Sequence, residues 1–189
     1  MTPSCWRLFM ADSVRLPRFV PGAVLRRLAT SDLAEFQSYR HDPQLGQYQG
    51  WSPTTDAEAS SFLSEMSSAE VLLPGIWIQL GIADPASLTL IGDIGLLLAE
   101  DGRHAEIGFT LCRQWQGRGI ATAAVRAALD LVFEQTRAER VLGVTDSRNL
   151  PSIRLLERVG MRQLEARNAT FRGEDCLELI YAIFRQRQK

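Results

Sequence analysis

Lysine occurs once in the 189 residues, at Lys189. Any anion site in this chain must therefore do without the lysine of a Walker-type phosphate loop. Histidine is almost as scarce. His41 and His104 are the only two, and nothing around either suggests a metal, so both read as structural or surface residues. The three cysteines, Cys5, Cys112 and Cys176, lie too far apart in sequence for a disulfide framework or for zinc-ligand spacing. They read as reduced thiols, and no metal is expected. Long apolar runs are missing too. The most apolar stretch, Val71 to Ala99, is broken by Pro74, Gln79, Asp84, Pro85 and Asp93, short of the about 20 apolar residues a spanning helix needs. Met1 to Leu16 has scattered apolar residues among Arg7, Asp12 and Arg15 and no continuous secretory segment, so the expected location is the cytoplasm.

What remains is ordinary globular material, 46% hydrophobic and 23% charged, enough for about one domain. Residues 1–21 carry Pro17 and Pro21 and no periodicity, which reads as an arm. Residues 22–189 form the expected domain. The net charge of −1 gives no general basic surface for nucleic acid. It conceals an asymmetry, since residues 1–112 sum to −6 and residues 113–189 to +5. Either two solvated faces neutralise each other, or one half suits an anion and the other a cation.

Periodicity predicts a strand at Ala23–Leu28, then a helix capped from Thr30-Ser31-Asp32 and ended by Asp42-Pro43. A polar loop from Gln44 to Pro53 follows. Thr55 and Glu58 have capping-box spacing before a helix whose apolar face is Ala59, Phe62, Leu63 and Met66. From Pro74 the period becomes two: Ile76, Ile78, Leu80 and Ile82 mark one strand, Leu88–Ala99 a second, and Ala105, Ile107, Phe109 and Leu111 a third after the Asp101-Gly102 turn. A helix over Gly119–Thr136, a strand at Val141–Thr145 and a helix to Arg158 lead to a hairpin turning at Arg172-Gly173. The order gives an α+β domain, three layers deep, with a mixed sheet and helices on both faces.

The segment richest in chemistry is Gln114-Trp115-Gln116-Gly117-Arg118-Gly119-Ile120-Ala121, between a strand and an amphipathic helix. Small residues let backbone N–H groups come close to a ligand. Those at a helix start have no intrahelical acceptor and sit at the positive end of the dipole, and Arg118 adds a cation. An anion site and a plain glycine turn both satisfy these residue types.

Gln116-x-x-Gly119-x-Ala121 resembles the signature of the GNAT superfamily of acyl-CoA-dependent N-acetyltransferases, at the matching strand-to-helix junction. Leu90-Ile91-Gly92-Asp93-Ile94-Gly95 is similar to the family's third strand, Ala105-Glu106-Ile107-Gly108-Phe109 to its fourth, and Asn149-x-x-Ser152 to Gly160-Met161 to the segment after its fifth. Together they look most like the RimJ/RimL branch that acetylates ribosomal-protein N-termini, over residues 22–184.

The resemblance implies a mostly antiparallel sheet splayed between the family's fourth and fifth strands. It also implies acetyl-CoA as cosubstrate. The backbone of Phe109, Thr110 and Leu111 would pair with the pantetheine arm, and the amides of Gln116, Gly117, Arg118, Gly119, Ile120, Ala121 and Thr122 would hold the pyrophosphate. Asn149 would bond the pantetheine or else serve as a helix cap.

Glu106 is the candidate base for deprotonating the amine, against a plain reading as a surface glutamate. Many relatives place a tyrosine acid seven residues after the asparagine; here that position is Leu156. Ser152 is then the candidate donor to the sulfur and a cofactor contact, or a cap, with water as the acid instead. Cys112 lies near the pantetheine path with no partner marking it as a nucleophile. Tyr48, Gln49, Gly50 and Trp51 lie where the family receives its acceptor. Tyr48 and Trp51 are the candidate substrate contacts, Trp51 packing in the core being the other reading.

The implied reaction is direct acyl transfer to a primary amine, either a small molecule or a peptide N-terminus, by a monomer or homodimer without nucleic acid, membrane or metal. An acyl-CoA-binding module without catalysis, and a transferase for another acyl group, are the alternatives.

Overall fold

In the computed structural model, which describes residues 16–186, Gly22 at φ +77° closes the first turn. It joins β1 (Arg18–Val20) to β2 (Ala23–Arg27) as antiparallel partners. Of the arm expected over 1–21, Arg18–Val20 are thus an edge strand; residues 1–15, with Cys5, lie outside the described residues.

A single 3-10 turn over Thr30–Asp32 opens α1 (Leu33–Arg40). The expected loop after Asp42 contains a further short helix, α2 (Pro43–Gly46), because the Asp42 carboxylate accepts the Gln44 and Leu45 amides and Pro43 fits a first helical turn. The capping box forms at α3 (Asp56–Ser68). Glu58 Oε2 accepts the Thr55 amide at 2.8 Å, and Thr55 Oγ1 accepts the Glu58 amide at 3.3 Å.

Three antiparallel strands follow: β3 (Trp77–Ala83), β4 (Leu90–Leu98) and β5 (His104–Leu111). Two strand ends differ from the alternation pattern. Ile76 lies outside β3 and is exposed, since Gly75 turns at φ +79°, and Leu88 is exposed at φ +59° before β4 begins. Then come α4 (Ile120–Gln135), β6 (Arg140–Asp146), α5 (Leu150–Arg158), β7 (Arg162–Phe171) and β8 (Glu174–Phe184). The last hairpin turns at Arg172 (φ +53°) and Gly173 (φ +82°), the successive positive angles that a tight hairpin turn requires.

The strands form one sheet in the order β1-β2-β3-β4-β5-β6-β8-β7. Among them only β5 and β6 are parallel neighbours. Register assigns the two faces. Asp93 pairs with Thr110 and Glu106 with Leu142, so these four share a face. Helix α1 covers the part of that face at Asp93, which receives Tyr39 Oη at 2.6 Å and Arg40 Nη2 at 2.7 Å. Gly143 points to the other face, where a Cβ would stand 2.7 Å from Leu156 of α5. That glycine lets α5 lie close against β6.

The core sits between sheet and helices. Leu80, Ile82, Ile94 and Leu96 meet Ala124, Val125, Leu131 and Val132 of α4 in one buried cluster. Each large aliphatic side chain so buried contributes about 1.5–3 kcal/mol.

Candidate active site

The parallel seam does not run the length of its strands. β5 pairs with β6 only at His104–Arg140, Ala105–Val141 and Glu106–Leu142. Beyond that point β5 stays with β4 as far as Leu111–Gly92, and β6 stays with β8 as far as Asp146–Glu178. Each strand follows its outer partner, and a wedge-shaped gap opens between residues 107–111 and 143–146. Glu106, half-buried, holds the last paired position at its apex.

Strand alternation decides which backbone groups face the gap. The Cys112 amide donates to Ile91 O of β4 at 2.8 Å, so even-numbered residues of this stretch, Thr110 included, turn toward β4. Phe109 and Leu111 turn toward the gap. Both carbonyls there draw a side-chain amide: Gln49 Nε2 donates to Phe109 O at 3.2 Å, and Gln116 Nε2 to Leu111 O at 2.8 Å. A ligand bearing amide groups along an extended arm fits these two carbonyls.

At the mouth of the gap a 3-10 turn over Arg113–Trp115 leads into Gln116, whose amide donates to Arg113 O at 3.1 Å. Gln116 therefore spends both its amide and its side chain on holding the turn. Gly117 and Gly119 follow at φ +74° and +79°, and a Cβ on either would meet no atom within 4 Å. The ladder of α4 begins with the Ala123 amide on Gly119 O, leaving the Ile120, Ala121 and Thr122 amides ahead of it at the positive helix end. Arg118 is exposed beside them, its guanidinium 5.3 Å from the Trp115 ring centre. Ile120, by contrast, buries its side chain in the core.

Across the gap, Asn149 accepts the Ser152 amide at 3.4 Å and so caps α5. Ser152 is half-buried in the first turn. Leu156 is 1% exposed and packs behind Gly143. The position at which the resemblance would put a tyrosine acid is here part of the core. Cys112 lies at the gap's edge, and burial pushes its thiol up to about 11, which keeps it protonated and unsuited to attack at neutral pH.

The loop after α2 lies over this end of the sheet. Trp51 stacks on the Arg40 guanidinium at 4.5 Å, and its indole nitrogen is buried without a partner. It is a pinned residue at the core boundary. Tyr48, in the same loop, is half-buried. A cleft of about 610 Å³ opens between the end of β6 and the β7–β8 hairpin, lined by Ser147, Arg148, Asn168, Thr170 and Cys176 among others. Arg148 grips the Asp146 carboxylate through Nε at 3.0 Å and Nη2 at 2.6 Å, which holds that carboxyl below its usual range.

Three features here escaped the sequence reading. The Tyr39–Arg40–Asp93 cluster had one visible signal, a charged residue within Leu90-Ile91-Gly92-Asp93-Ile94-Gly95, because a carboxylate in such a run demands a buried partner. The Asp146–Arg148 pair had only its spacing. Nothing local announced that Arg172 reaches back to the carbonyls of Gln49 and Trp51. Among the described residues no group of three or more His, Cys, Asp or Glu is placed to hold a metal ion, and no helix is long and apolar enough to cross a membrane.

Residues 23–162 match the family model of the acetyltransferase (GNAT) domain. An uncharacterized N-acetyltransferase of Bacillus licheniformis, p20, is 26% identical over 140 residues, 74% of this chain and 78% of its own. Two solved structures share the fold. One is spermidine N-acetyltransferase of Vibrio cholerae in complex with CoA and spermine, with a TM-score of 0.74, 19% identity, and coverage of 87% of this chain and 96% of its own. The other is RimL, a ribosomal L7/L12 alpha-N-protein acetyltransferase in complex with coenzyme A, with a TM-score of 0.73, 16% identity, and coverage of 86% and 94%. The family match takes in both sides of the gap and the turn at its mouth, and the chain belongs to the GNAT family of acetyltransferases.

Proposed function

We propose that this chain transfers the acetyl group of acetyl-CoA to a primary amine, with the pantetheine arm in the gap between β5 and β6. One observation carries the reading: the seam parts immediately after Glu106 while each strand keeps its outer partner. The arm lies along the Phe109 and Leu111 backbone groups. The amides from Gly117 to Thr122, with Arg118, hold the pyrophosphate, and Gln116 fixes the turn that presents them. The thioester then lies near the apex.

The amine must be neutral to attack. Glu106 takes its proton, directly or through water. The nitrogen adds to the thioester carbonyl and gives up its second proton to water, the C–S bond breaks, and the leaving thiolate takes up a proton that water supplies, directly or relayed through the Ser152 hydroxyl. No covalent enzyme intermediate is needed.

The acceptor approaches past Tyr48 and the loop through Trp51, over the face that Glu106 shares with Thr110 and Leu142. A protein N-terminus, as for RimL, and a polyamine, as for the spermidine enzyme, both present a primary amine. We place the reaction in the cytoplasm, in a monomer or homodimer, with residues 22–189 as the catalytic domain. The buried Leu156 favours one second reading, a module that binds acyl-CoA without turnover.

Release of free CoA thiol from acetyl-CoA, over a panel of peptides and small amines, decides between the two. Turnover on one acceptor class is expected. Thermal stabilisation by CoA with silence across the panel would favour the binding module, and no stabilisation by CoA would overturn both.

A further inference from the structure

Gln49 is held at both ends. Its carboxamide crosses from the loop after α2 to donate to Phe109 O at 3.2 Å, inside the gap. Its own carbonyl accepts Arg172 Nη2 at 3.0 Å, and the same nitrogen donates to Trp51 O. Arg172 sits at the tip of the β7–β8 hairpin, and Trp51 is pinned in turn on Arg40, which is buried against Asp93. The two flanks of the gap, one carrying β5 and the other β6, are thereby clasped together above its open end.

The chemistry explains why a side chain would stand there. A carbonyl at a parted sheet edge has lost its ladder partner, and leaving such a group buried and unmet costs free energy. Gln49 supplies a donor of the kind that an amide-bearing arm would supply instead. The Phe109 carbonyl is therefore contested.

We propose that Gln49 is a displaceable plug: its carboxamide occupies the Phe109 carbonyl until the amide-bearing arm of the donor takes it, and Arg172 is the positioning residue that holds the plug in place. The inference rests on the acetyl-CoA reading above and adds to it an antagonism between the clasp and the donor. Because coupling is reciprocal, donor binding withdraws Gln49 from β5 and loosens the loop that carries Tyr48 and Trp51.

Titration calorimetry of CoA against wild type, Gln49→Ala, Arg172→Ala and the double variant tests this. Removing the competing hydrogen bond tightens CoA binding by roughly two- to tenfold in Gln49→Ala. Arg172→Ala gains less, and the double variant binds no tighter than Gln49→Ala, since Arg172 acts through Gln49. A residue that merely supports the loop would lose affinity when truncated. Equal or weaker binding by Gln49→Ala, beside a wild type that binds, overturns the plug and leaves the acetyl-CoA site standing. Gains that multiply in the double variant would remove Arg172 from the plug. A wild type that does not bind CoA overturns the acetyl-CoA reading itself. Gln49→Glu, which cannot donate to the carbonyl, is predicted to gain in the same way and replaces Gln49→Ala if that variant does not fold.

Discussion

The two sides of the parted seam are built differently. From β2 to β5 the sheet is closed in: Asp93 is 1% exposed, and its charge is met by Arg40 and Tyr39. Burial, aided by the Asp93 charge, pushes the Tyr39 hydroxyl well above its ordinary range, so it donates as a neutral phenol. Toward its β7 edge the sheet opens to solvent. Edge strand β7 is exposed along almost its whole length, and its charges pair at the surface, as Arg167 does with Glu178. The buried, paired charge thus lies on the β5 side, which also carries Glu106. On the other side β6 is still packed, Gly143 lying close against Leu156, and only the β7 edge can vary in sequence at little cost to the fold.

The sharpest way to break this contrast is to remove one charge from the closed half. Asp93→Ala strands Arg40 in the core and should cost about 3–5 kcal/mol of stability by urea unfolding; a loss under about 1 kcal/mol would remove the distinction between the halves. Next comes the turn joining them. Gly119→Leu places a side chain at φ +79° where small residues leave open space, and should weaken CoA binding at least about tenfold, or about 1.4 kcal/mol, in calorimetry. Unchanged affinity would remove that turn from the cofactor site.

Asp146 gives a smaller, pH-dependent effect. Hydrogen bonding from Arg148 holds its carboxyl below the usual range, so its stabilisation is present above the unfolded carboxylate pKa, about pH 4, and is lost as the pH falls through the lower folded value. Melting curves should show wild type losing its advantage over Asp146→Asn below about pH 4, and a constant difference down to acid pH would contradict the pair. Smallest of all, Arg167→Ala on the exposed edge should shift stability by less than about 1 kcal/mol.

Much of the fold was legible because local and global signals agree in it. Thr55 and Glu58 announce a helix start that forms as a capping box; Ile78, Leu80 and Ile82 mark a strand by their alternation, but its second face is covered too, since Leu80, Gly81, Ile82 and Ala83 are all buried. The strand ends at Ile76 and Leu88 were misread because positive φ angles at Gly75 and Leu88 override an apolar pattern. Of the proposed site, the small-residue turn and Glu106 are candidates that short motifs suffice to name. Which carbonyls face the gap depends on pairing with β4, and who occupies them depends on Gln49 and Arg172, 123 residues apart in sequence. No window of sequence contains that contact.

The role we propose for Glu106 at the reacting nitrogen follows from the place where the seam parts. It is tested most directly by comparing wild type and Glu106→Gln at saturating acetyl-CoA, following thiol release with a high-pKa amine at neutral pH and CoA affinity in parallel. The account predicts turnover lower by about a hundredfold with CoA affinity unchanged; equal turnover in the two proteins would contradict it.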